Sequence, residues 1–114
     1  MLTIILNNIG AVVVVLFGAA CLIAPTAVAE WVSFRLEGER GRAEFRTGFG
    51  GFFLAPGLFA LITQDPVAFT VLGVAWAGTA AARVISFIID RPGLTATYLG
   101  LLAFEIAMGV FMLV

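Results

Sequence analysis

Four long apolar runs, parted by short polar breaks, make up nearly all of this sequence. Each is close to the roughly 20 residues that a helix needs to cross a bilayer. The first extends from about Ile4 to Ala24 and stops at Pro25, whose missing N–H and ring clash break a helix. No Lys or Arg precedes it, it exceeds an ordinary signal-peptide core, and three further apolar segments follow, so it is expected to be a retained helix. The second extends from about Phe45 to Thr63 and ends in the turn Thr63-Gln64-Asp65-Pro66. The third extends from about Val67 to Ile89, where Asp90-Arg91-Pro92-Gly93 supplies another turn, and the fourth from about Leu94 to Val114. The pattern predicts an all-α fold, an integral membrane four-helix bundle, formed as one transmembrane domain over residues 1–114.

Composition supports that expectation. Apolar residues make up 62% and charged residues 11% of the chain, with a mean hydropathy of +1.15. Soluble domains use roughly 45–50% apolar and about 25% charged residues. The formal net charge is −1, and the six basic residues are all Arg with no contiguous block, which speaks against a nucleic-acid partner. Cys21 is the single cysteine, lies in an apolar run and reads as a small packing residue. With no histidine and one cysteine, the usual ligands of haem, zinc and copper are missing, so no metal or cofactor is expected.

The strongly polar stretch Glu30 to Arg46 carries Glu30, Arg35, Glu37, Glu39, Arg40, Arg42, Glu44 and Arg46, and reads as the one sizeable loop. Trp31, Phe34 and Leu36 interleave with those charges, which fits either a segment lying at headgroup depth or a solvated connector. With four spans, this loop and the Asp90-Pro92 turn share one side and hold most of the arginines, whereas Met1 and the Gln64-Asp65 turn carry none. The positive-inside rule then places loops one and three in the cytoplasm and both termini outside, in a cell inner membrane.

Two charges fall inside apolar runs: Arg83 in the third and Glu105 in the fourth. Intramembrane charge is costly, so each is expected to face the bundle interior with a partner. Arg83 lies about 10 Å from the turn at Asp90, and Glu105 about 18 Å from Gly93, at roughly 1.5 Å per residue. The two helices are antiparallel and side chains lean towards a helix's own N-terminus, which brings the pair together. Arg46 and Asp90 lie nearer the surface and extend the candidate network, with Ser86 on the face of Arg83. Two readings stay open: a neutralised pair that fixes helix register, or a solute, proton or lipid-headgroup site built from the same charges. Small residues mark the expected packing positions, Gly48, Gly50, Gly51 and Gly57 in the second run and Gly73 and Gly78 in the third, as a seam between those two helices. Pro56-Gly57 is expected to kink the second helix.

The run Glu44-Phe45-Arg46-Thr47-Gly48-Phe49-Gly50-Gly51, then Arg83-Val84-Ile85-Ser86-Phe87-Ile88-Ile89-Asp90 and a late Glu105, resembles the small bacterial four-helix membrane proteins of domain of unknown function family 4345. The resemblance extends over roughly Val14 to Met112. It implies the fold and no activity, and it singles out Arg46, Gly50, Gly51, Arg83 and Glu105. Small multidrug-resistance pumps are set aside because the first run holds no Glu, and fluoride channels because Gly50-Gly51-Phe52-Phe53-Leu54-Ala55 lacks their hydroxyl residues.

The short turns leave little room for chemistry outside the membrane. The leading expectation is therefore a multi-pass protein that binds within the bilayer, as a scaffold or accessory subunit beside lipid, other membrane proteins or further copies of itself. The alternative is a small transporter or channel with Arg83 and Glu105 in its path. An enzyme is not expected, since no nucleophile, base and orienting group converge.

Overall fold

A computed structural model describes residues 1–93 and 95–114; the expected start of the fourth run at Leu94 lies outside the described residues. The fold is an all-α helical bundle with four helices long and apolar enough to cross a membrane. Helix α1 is Leu2–Ile23, α2 is Pro25–Trp31, α3 is Gly38–Thr63, α4 is Pro66–Asp90 and α5 is Ala96–Leu113.

Proline and short polar residues set these boundaries. Pro25 ends α1 and opens α2, because a missing N–H costs nothing in a helix's first turn. Asp65 caps α4 by accepting the Val67 N–H at 2.9 Å, and Pro66 again takes the first helical position. Thr95 caps α5 by accepting the Tyr98 N–H at 3.1 Å. Gln64 and Arg91, in the left-handed region at φ 54° and 49°, terminate α3 and α4.

The polar stretch departs from the expected loop. Pro25–Trp31 is helical, and α3 begins at Gly38, ahead of the expected start at Phe45. Polarity here marks solvent exposure, not irregular backbone: Glu39 occupies the first turn, and Arg40 and Glu44 pair at 3.5 Å across one turn. Between α2 and α3, the Phe34 N–H donates to the Ala29 carbonyl at 2.7 Å, and Phe34 sets its ring edge-on to Phe45 and Phe49. The connector is thereby tied to the apolar interior, while Trp31 stays exposed.

Within α3, the segment Arg46–Gly51 forms a π-helical turn, a wider winding with i→i+5 hydrogen bonding. The departure from α-helical bonding thus falls upstream of Pro56, which lies inside the regular part Phe52–Thr63.

The chain forms two compact units. One comprises residues 1–10 and 65–114, with Phe69, Leu72, Trp76, Ala80, Met108 and Met112 buried. The other comprises residues 11–64, where Ala11, Val14, Cys21, Ala29, Phe45 and Ala60 are buried. Glycine contacts define a seam within each unit. A Cβ on Gly50 would lie 2.7 Å from Leu22 Cγ, and one on Gly57 2.8 Å from Val15 Cγ2, so α3 closes on α1. A Cβ on Gly73 would lie 2.7 Å from Leu113 Cγ, so α4 closes on α5. Gly48, Gly51 and Gly78 meet nothing within 4 Å, whereas Gly10, Gly18 and Gly109 make approaches that small-residue spacing alone did not single out.

Candidate functional site: the buried charge pair

The buried residues of α4, Phe69, Leu72, Gly73, Trp76 and Ala80, recur every three or four positions, and Arg83 continues that stripe. On α5 the corresponding stripe is Glu105, Met108, Gly109 and Met112. A Cβ on Gly109 would sit 3.6 Å from Ala77 N, so the two backbones approach closely there, one turn beyond Glu105. Trp76 meets Phe104, the residue before Glu105 in sequence, edge-on at 5.5 Å.

In this setting the two charges form a two-pronged pair. Arg83 Nε donates to Glu105 Oε1 at 2.6 Å and Nη2 donates to Oε2 at 2.7 Å. The parallel fork satisfies both carboxylate oxygens and fixes the plane of the guanidinium, the geometry that makes such pairs strong. The Glu105 side chain is 6% exposed and that of Arg83 23%. Charge separation is thus cancelled at the carboxylate, while one edge of the guanidinium keeps access to its surroundings.

Tyr98 completes the site from α5. Its ring lies 5.1 Å from Arg83 Cζ, within cation–π range. Its hydroxyl donates to the Arg83 backbone carbonyl at 2.8 Å. One residue therefore holds both the charged head and the backbone of Arg83. Tyr98 was legible in principle, since it precedes Glu105 by two helical turns and shares its face. Reading charges alone passed over it.

Of the other candidate residues, Ser86 and Asp90 belong to α4 with Arg83, and Arg46 belongs to α3. Ser86 is half-buried and Asp90 exposed at the end of α4; among the described residues neither bonds to Arg83 or Glu105. Arg46 Nη1 donates to the Leu22 carbonyl at 2.6 Å, placing a cation at the C-terminal end of α1, where the helix dipole favours one. Glu44 is paired with Arg40. Asn7, unremarked in the first apolar run, has a buried Oδ1 with no hydrogen-bond partner among the described residues.

As chemistry, the centre is an acid and a base that neutralise each other, flanked by a phenol engaged with backbone. Four helices long and apolar enough to cross a bilayer point to a small multi-pass α-helical membrane protein. The family model for Domain of unknown function (DUF4345) matches residues 1–114, and the chain belongs to that family. No curated protein and no solved structure matches it.

Proposed function

We propose that the protein acts inside the bilayer as a binding, scaffold or accessory subunit of a membrane assembly, associating through its helix faces with further copies or with other membrane proteins. The observation that carries this reading is α4. Its spanning window is 17% buried within the chain, and Ala75, Gly78 and Ala82 stay exposed at helical spacing, with nothing within 4 Å of a Cβ on Gly78. Small residues on a lipid-facing stripe allow another helix to approach closely. The self-satisfied Arg83–Glu105 pair supports the same reading, since it holds α4 and α5 in register without requiring a passing solute. No catalytic role is assigned. The arginine asymmetry supports an inner-membrane orientation with loops one and three cytoplasmic and both termini outside.

Native mass measurement after mild extraction tests the assignment. An oligomer or a retained partner is expected, and Gly78→Leu is expected to dissociate it without unfolding the chain. A strictly monomeric, partner-free population in several gentle detergents and in nanodiscs refutes the scaffold reading. It would favour the transporter alternative, for which the residual exposure of Arg83 is the specific support.

A further inference from the structure

Where α4 ends, Phe87, Ile88, Arg91 and Gly93 line an open groove of ≈ 380 Å³. Phe87 is 37% exposed and Ile88 66% exposed. Arg91 is also exposed, and it supplies the only charge among the described lining residues. Asp90, its neighbour in sequence, is not among the described lining residues. Among the described residues, a Cβ on Gly93 would meet nothing within 4 Å.

We propose that this groove binds an anionic phospholipid, with the phosphate on the Arg91 guanidinium and an acyl chain along Phe87 and Ile88. The order of the lining carries the argument. Moving out along α4, apolar side chains of the last helical turn give way to a single cation just past the helix end, the sequence in which a phospholipid presents its tail and its headgroup. A free phosphate engages only Arg91 and leaves the apolar lining unused. A second copy seated symmetrically on the same groove brings Arg91 towards Arg91 with no carboxylate among the described lining residues to separate them. Phe87 also leans on Tyr98 at 6.4 Å between ring centroids, and Tyr98 holds Arg83. The bound lipid therefore rests against the shell of the buried pair. The inference depends on the membrane-spanning reading, not on the scaffold role.

The test uses the full chain extracted from membranes in mild detergent and analysed by native mass spectrometry during titration with dioleoyl-phosphatidylglycerol, dioleoyl-phosphatidylcholine or inorganic phosphate. The phosphatidylglycerol adduct is expected to dominate and inorganic phosphate to leave it unchanged. Arg91→Gln should weaken phosphatidylglycerol about fivefold, the worth of one interfacial cation, and leave phosphatidylcholine unaltered. Ile88→Ser should weaken both lipids. Both positions are exposed, and an unchanged melting temperature for each variant establishes that folding is intact. A preference for phosphatidylglycerol that survives Arg91→Gln, displacement of the lipid by phosphate, or loss of an oligomer in Ile88→Ser without any lipid adduct overturns the proposal. Failure of the chain to extract with membranes overturns the membrane reading itself, a separate outcome.

Discussion

Replacing Arg83 and Glu105 singly and together measures what the pair contributes, and the structure predicts an asymmetry between the single variants. Breaking a buried pair by removing one partner typically costs about 3–5 kcal/mol, because the remaining charge is left uncompensated. Arg83→Leu belongs at the upper end. Among the described residues Arg83 supplies both hydrogen bonds to the Glu105 carboxylate, whose side chain is 6% exposed. Glu105→Leu belongs nearer the lower end, because Arg83 is 23% exposed, keeps the Tyr98 ring against its guanidinium, and lies about 10 Å from the helix end, within reach of a snorkelling adjustment. The double replacement removes both charges and both desolvation costs, and is expected to lie within about 1 kcal/mol of the parent. The coupling energy from the double-mutant cycle should then exceed about 3 kcal/mol in magnitude. Reversible unfolding in mixed micelles, followed by Trp76 fluorescence in a Trp31→Phe background, reads the relevant seam, since Trp76 packs against Phe104 next to Glu105. A coupling near zero with all three variants stable, or equal losses in the single variants, would refute the reasoning.

A Cβ on Gly18 would lie 2.5 Å from the Leu54 backbone nitrogen, so Gly18→Ala must push α1 from α3 and is expected to cost about 1–3 kcal/mol in thermal unfolding. Gly78→Ala meets open space and should be neutral, or stabilising by up to about 1 kcal/mol through helix propensity. Tyr98→Phe removes the hydroxyl bond to the Arg83 carbonyl while keeping the ring, and should lower stability by about 0.6 kcal/mol, a typical intramembrane hydrogen bond; no change in the same unfolding assay would show that the bond is not formed in lipid. For topology, single cysteines at Gln64 and at Glu39 in a Cys21→Ser background are expected to label with an impermeant thiol reagent on intact cells at Gln64 and not at Glu39.

Hydropathy sufficed to find four helices long and apolar enough to cross a bilayer because, in a bilayer, backbone hydrogen bonds must be closed within each segment, and long apolar runs therefore become helices. Pro25 marked the end of the first run within one residue of the observed helix end at Ile23, for the same local reason. The start of α3 was harder to read, because its first eight residues are helical and polar at once, and hydropathy registers only the second property. Charge scarcity drew attention to Arg83 and Glu105, but their shared geometry depends on Tyr98 and on the close approach at Gly109, neither of which is charged. Glycines were recognised as packing residues, yet which helix each one meets is a tertiary property. Gly50 and Gly78 look equivalent in sequence, while one sits against Leu22 and the other faces open space.

The π-helical turn at Arg46–Gly51 gives α3 a particular tolerance to changes in chain length. Phe45, Phe49 and Phe53 recur every four residues, a spacing that drifts by about 40° per step on a regular helix, yet successive rings remain 4.5 Å and 6.2 Å apart across the wider winding. Such a turn accommodates one residue more than α-helical winding would hold. Deleting a single residue inside it lets the ladder revert to i→i+4 bonding, while Phe52–Thr63 keeps the face that Gly57 presents to Val14 and Val15. The same deletion in the regular helix downstream would rotate everything beyond it by about 100°, turning Ala60 out of its buried position. Natural variation in the length of this helix should therefore be confined to Arg46–Gly51, the one segment whose winding can absorb it.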